Sequence, residues 1–216
     1  MKPETKFGPG PQAGMRGIVL CVLALAAFSV GAQTIDERLK NALADPAARD
    51  TAMAAARNTV TFCANCHGGD GNSALSDVPN LAGQHPVYLL AQFEKYVKGQ
   101  RRNRFKEGLM KMLSENDRIN ATVFYSSQAV RPAGAGSSAA GQSLYNQRCA
   151  VCHDAQGRGT ATTPRVAGQQ IEYLTQSMSR YRDQSGERIF SPMVASAVGL
   201  KDQDIKALAV FMSSMR

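Results

Sequence analysis

Apolar residues recur at helical intervals through most of the chain, and no segment alternates apolar and polar residues as a strand would. The Ala-rich stretch Ala47–Thr61 predicts a helix, and Ala139–Cys149 predicts a second. Val87–Val97 and Glu172–Tyr181 carry apolar or aromatic residues at helical spacing. Ser114-Glu115-Asn116-Asp117 reads as a capping box that opens a further helix, with Asp in place of the usual Glu or Gln. Leu200–Met215 places Ile205, Leu208, Ala209 and Met212 on one face of a last helix. Between these helices, Gly68–Pro79 and Asp154–Pro164 are rich in Gly, Ser, Thr and Asp and read as loops. The expectation is an all-α protein.

The pattern occurs twice. Cys63-Ala64-Asn65-Cys66-His67, Pro79 to Gln84, Tyr88-Leu89 and Tyr96 are answered by Cys149-Ala150-Val151-Cys152-His153, Pro164 to Gln169, Tyr173-Leu174 and Tyr181. The offset is 86 at the first cysteine and 85 at the proline. Two copies of this length indicate duplicated domains rather than a solenoid. Residues 131–138, Arg-Pro-Ala-Gly-Ala-Gly-Ser-Ser, are a linker by composition. The division expected is a signal peptide over 1–32, an amino-terminal arm over 33–50, a first domain over 51–130, the linker, and a second domain over 139–216.

The signal reading rests on Met15-Arg16, the 13-residue apolar run Ile18–Val30, and Val30-Gly31-Ala32 ahead of Gln33, with cleavage expected after Ala32. The run is short for a membrane span, so no stable membrane insertion is expected after cleavage. Met1–Gly14 resembles no targeting region, and Met15 is an alternative start. Cys21 follows Leu20, where a lipoprotein signal wants a small residue, so no lipid anchor is expected. Export leaves four cysteines and lowers the formal charge of +8 by removing Lys2, Lys6, Arg16 and Glu4. The remaining positive excess is too modest for a nucleic-acid binder.

The spacing of those four cysteines argues against simple disulfides. Cys-x-x-Cys-His is the attachment sequence of c-type haem. Two cysteines one helical turn apart can each form a thioether to a haem vinyl group, and the adjacent imidazole then points at the iron. A redox dithiol belongs beside a βαβ pattern that is missing here, and a zinc site would not require a histidine after each pair. The expected cofactors are therefore two haem c, bonded through Cys63, Cys66, Cys149 and Cys152 with His67 and His153 on iron. With haem carrying two propionates per site, the holoprotein would be nearly neutral.

The sixth ligand sets what the iron does. A Met thioether raises the potential and suits electron transfer. Met193, after Ser191-Pro192, precedes the closing helix by seven residues counted to Leu200 and is the candidate in the second domain; the alternative is a core methionine. Counting back seven from Leu113 in the first domain reaches Lys106. Met110 is the candidate there, with Met112, Lys106 as a neutral amine, or an open position as alternatives.

These residues resemble the c4-type di-haem cytochromes c of the class I superfamily over nearly all of the chain after about residue 50. The resemblance rests on Cys63 to Gly68 with Asp70-Gly71-Asn72-Ser73, Pro79 to Pro86, Tyr88-Leu89, the second haem motif, Pro164 to Gln169, Tyr173-Leu174 and Ser191-Pro192-Met193. It implies two tandem cytochrome folds, each wrapped around one covalent haem, with axial roles for His67, His153 and Met193. It also implies that the carbonyls of Pro79 and Pro164 accept hydrogen bonds from the ligand histidines. Lys106 stands where the family has its first-domain methionine. Gly141 and Tyr145 fit the family's helix crossing, and their first-domain counterparts are Ala55 and Thr59.

The function expected is single-electron transfer in the periplasm, not enzymatic turnover. The partners would be redox proteins: a quinol-cytochrome c reductase or dehydrogenase on one side and a membrane oxidase or reductase on the other. Alternatives are a cytochrome subunit of a periplasmic dehydrogenase and, further off, a di-haem peroxidase. His85 reads as a surface residue, and the run from Lys95 to Lys106 reads as a solvated basic face or a steering patch for an acidic partner.

Overall fold

The computed structural model describes residues 33–185 and 190–216, with residues 1, 3, 4, 8 and 10 near the amino terminus. The proposed signal segment and its cleavage point lie outside the described residues. Residues Gln33–Arg216 form one compact unit. All regular structure among the described residues is helical: α1 (Ile35–Ala44), α2 (Pro46–His67), α3 (Pro86–Val97), α4 (Arg104–Met112), α5 (Glu115–Ser126), α6 (Ala139–Arg148), α7 (Ala150–His153), α8 (Ile171–Asp183), α9 (Ser191–Ala197) and α10 (Asp202–Ser214). No helix among the described residues is long and apolar enough to cross a membrane.

Residues 33–50, expected as an arm, are folded onto the first half. Thr34 caps α1 in a reciprocal box with Glu37, and Asp45 both ends α1 and caps α2 by accepting from the Ala47 N–H. Leu39 is 2% exposed and joins Ala52, Leu90, Ile119 and Val123 in a core cluster. Burying such a side chain contributes about 1.5–3 kcal/mol. Ile35, Leu39, Ala42 and Leu43, spaced for one face of a helix, pack this stretch down despite its charged residues.

In each half the helix that leads to the cysteine motif packs on the closing helix: α2 on α5 and α6 on α10. The second crossing is tight. A Cβ on Gly141 would lie 2.1 Å from the Ala207 carbonyl oxygen, so only glycine fits. Tyr145, fully buried one turn on, donates to the Asp154 carbonyl at 2.7 Å. In the first half Ala55 is exposed, and the buried residues are Ala56 and Val60, one position along from the expected Ala55 and Thr59. The reason is local. α2 runs unbroken through Cys63 to His67, whereas in the second half the helix breaks at Cys149 between α6 and α7. The first half draws its fully buried tyrosine, Tyr125, from the closing helix instead.

The linker is threaded between the halves. Asn72 donates to the Ala129 carbonyl and accepts from the Arg131 N–H, Asp70 pairs with Arg131, and the Gly134 N–H donates to the Ser213 carbonyl.

Candidate haem sites

Both cysteine pairs are free thiols separated by one turn, Cys63 and Cys66 within α2, Cys149 and Cys152 at the start of α7. Burial raises the pKa of Cys63 and of Cys149, the latter to about 11, which keeps both as thiols in the folded chain. The motif ends differently in the two halves. Gly68 closes α2 at positive φ, and a Cβ there would meet the Asn72 carbonyl oxygen at 2.3 Å. Its counterpart Asp154 holds a φ of 60° as a non-glycine residue. The Tyr145 hydroxyl and the Asp154 carboxylate, which accepts from the Gln156 and Arg158 N–H groups, hold that conformation.

His67 and His153 are buried, and each directs Nδ1 at a proline carbonyl: His67 to Pro79 at 2.8 Å and His153 to Pro164 at 2.9 Å. A carbonyl only accepts, so Nδ1 carries the proton and Nε2 keeps its lone pair, the form that binds a metal. Burial holds both imidazoles below the usual histidine range. His67, which also faces Lys106, is pushed down to about 4.

Lys106 Nζ lies 3.2 Å from His67 Nε2. Its position follows from a helix cap: Asn103 accepts from the Lys106 N–H at 3.0 Å, which makes Lys106 the third residue of α4. Met193 is likewise the third residue of α9, partly buried against the second core cluster. Both residues stand eight positions before the cap of the closing helix, Ser114 and Lys201 respectively. Burial lowers the pKa of Lys106, which favours its neutral amine. Met110, the sequence candidate, lies one turn further along α4 at 4% exposure, packed in the core with Val60, Phe93 and Tyr125. The same step beyond Met193 reaches Ala197, which is also buried in the core. Met112 is 84% exposed. The group that stands over the first imidazole is therefore the amine, and Met110 fills a core position.

The rest of the basic run divides. Arg101 lies 4.8 Å over the Tyr96 ring and donates to the buried Gln92, while Arg102 faces solvent beside Glu107. Arg118, on α5, pairs with Glu94 at 2.7 Å and donates to the Leu113 carbonyl at the end of α4. His85 is half-buried, and its Nε2 sits 3.0 Å from the Arg158 carbonyl of the other half. Sequence reading had left His85 at the surface, and it gave Arg118 and Glu94 no role; a charged residue at an apolar helical position was the available signal for Arg118.

The fit to two haem c groups thus rests on paired free thiols, buried imidazoles whose Nδ1 is held by a proline carbonyl, and an amine facing Nε2 of the first. Known proteins agree. Residues 138–216 match the family described as "Cytochrome c". Cytochrome c4 of Pseudomonas aeruginosa is 30% identical over 183 residues, covering 78% of this chain and 90% of that protein. A protein named thiosulfate dehydrogenase electron acceptor, from Stutzerimonas stutzeri, is 29% identical over 171 residues, covering 71% of this chain and 78% of its own length. The crystal structure of reduced recombinant cytochrome c4 from Pseudomonas stutzeri superposes with a TM-score of 0.69 at 27% identity, covering 76% of this chain and 98% of that one. With the duplicated Cys-x-x-Cys-His motif, the two proline-anchored imidazoles and this extent of similarity, the chain belongs to the cytochrome c4 family, the di-haem electron-transfer branch of the class I cytochromes c.

Proposed function

We propose that this chain carries single electrons through the bacterial periplasm, accepting them from a quinol-oxidising complex or a dehydrogenase and delivering them to a terminal oxidase or reductase. The segment Met15–Ala32 supports export. Cys63, Cys66 and His67 hold the first haem, and Cys149, Cys152 and His153 the second. Haem c bound at these residues supplies a one-electron iron couple, while the chain sets its potential and docking. Met193 completes the second site and Lys106 the first, so the two centres are unequal.

One observation carries the inequality: Lys106 and Met193 occupy the same helical position before equivalent closing helices, with Lys106 Nζ 3.2 Å from His67 Nε2. A thioether raises the potential of a His-ligated haem. An amine lacks that preference for ferrous iron, so the first site is the lower of the two and passes electrons to the second. Lys106→Met in the holoprotein tests this. The variant is expected to gain a second methionine–iron band at the red edge of the ferric spectrum and to raise the lower potential. An unchanged spectrum would set Lys106 aside.

A second reading, a dedicated electron-accepting subunit of a dehydrogenase, is favoured by the similarity to the thiosulfate dehydrogenase electron acceptor. Purification with a stoichiometric catalytic subunit would select it.

A further inference from the structure

Two glutamines tie the halves together in a mirrored way. Gln169 reaches into the first half and brackets Asn80: its Oε1 accepts from the Asn80 N–H at 2.7 Å and its Nε2 donates to the Asn80 carbonyl at 3.0 Å. Gln84 does the same to Arg165, accepting from its N–H at 2.8 Å and donating to its carbonyl at 3.1 Å. Each Oε1 also accepts from the next residue of its own chain segment, Gln170 at 2.9 Å and His85 at 3.1 Å. Both side chains are 7% exposed.

The captured N–H groups are not arbitrary. The Asn80 nitrogen belongs to the peptide whose carbonyl is that of Pro79, the acceptor of His67 Nδ1–H. The Arg165 nitrogen belongs to the peptide whose carbonyl is that of Pro164, the acceptor of His153 Nδ1–H. A continuous path therefore runs from each imidazole, through one peptide group, to a glutamine of the opposite half. Accepting a bond at the N–H of an amide draws electron density onto its carbonyl oxygen and strengthens the bond made there, by about 10–30% per link. A stronger acceptor at Nδ1–H makes the imidazole a better donor at Nε2, which favours the oxidised metal.

We infer that Gln169 and Gln84 are positioning residues that each lower the potential of the haem in the opposite half, so that the redox poise of one centre depends on the docking of the other. This rests on His67 and His153 being the haem ligands. It makes the interface part of the electron-transfer apparatus rather than a passive seam. Neither glutamine contacts an imidazole directly; the effect passes through the proline peptide.

The test is redox titration of the two-haem protein with each centre resolved, alongside haem quantitation and the ferric spectrum. Gln169→Leu is expected to raise the reduced-to-oxidised ratio of the first haem about threefold at fixed potential, about 30 mV for one electron, and to leave the second unmoved. Gln84→Leu is expected to do the converse. Gln169→Glu keeps an oxygen for the Asn80 N–H and adds negative charge, so its shift at the first haem has the opposite sign. It also reads the same bond if the leucine variant fails to fold. Equal shifts of both haems, one sign of shift in all variants, or no shift with two haems and intact axial bands would overturn the inference alone. A wild-type protein that lacks two haems, or whose imidazoles are not on iron, would instead overturn the reading beneath it.

Discussion

In the second half of the molecule the leading and closing helices meet through Gly141, with Tyr145 and Phe211 in ring contact at 5.5 Å. In the first half the same pair of helices meets through Ala56 and Val60, with the buried tyrosine supplied by α5. The second half places Ile205 in its core where the first places Arg118, held by Glu94. The second offers Met193 where the first offers Lys106. Shared in both are the cysteine pair, the imidazole, its proline carbonyl and the glutamine that crosses to the other half. Covalent attachment and ligand orientation tolerate little variation. The helix crossing needs only matched volume at a close approach, which different residues provide.

The largest effect that would break this comparison is at Arg118. Arg118→Ile leaves Glu94 partly buried without a partner and strips a donor from the end of α4, for an expected loss of about 3–5 kcal/mol. Adding Glu94→Ser, the residue type at the corresponding position 179, is expected to recover at least half of that loss in urea unfolding. No recovery would mean that Arg118 matters through the α4 carbonyls alone. Next is Gly141→Ala, which forces α6 off α10 and is expected to cost about 1–3 kcal/mol. Ala56→Gly, the reverse change in the first half, is expected to cost only about 0.5–1 kcal/mol through helix propensity. Equal losses would show that the two crossings are the same after all.

The smallest effect concerns pH. The Ser114 hydroxyl, then its backbone N–H and the Thr59 hydroxyl, hold the Asp117 carboxylate below its usual range. A depressed carboxylate contributes stability that is complete above its unfolded value near 4 and is lost as pH falls through the lower folded value. Asp117→Asn is therefore expected to lower the unfolding midpoint at neutral pH, with the difference from wild type closing below about pH 4. Among the described residues, Asp204 accepts from the Lys201 N–H in the matching box and makes no bridge to the leading helix like that of Asp117 to Thr59. Asp204→Asn is expected to lower the unfolding midpoint at neutral pH by less than Asp117→Asn.

Much of this was legible in the sequence. The duplicated motif gave both cysteine pairs and both imidazoles, and the proline contacts were implied by the family resemblance. The Ser114 box was read with its unusual Asp. Other features were not. α1 was taken for an arm because its charges outweighed four apolar residues in so short a segment. The one-residue shift to Ala56 and Val60 depends on whether a helix breaks at the first cysteine, which side-chain identity does not encode. At the first haem, counting from the closing helix reached Lys106, but residue type drew the choice to Met110. The cap at Asn103 and the cap at Ser114 fix the register that puts Lys106 beside His67 and Met110 in the core. Gln84 and Gln169 were visible as repeated letters, while their bonds depend on how the halves dock.

The claim on which the rest depends is that the two centres differ in their sixth ligand. The most direct measurement is the red-edge ferric band of the native holoprotein, integrated against haem content. The expected result is one methionine–iron bond for every two haems, with the second centre accounting for all of it. Band intensity equivalent to two methionines per molecule would contradict the account.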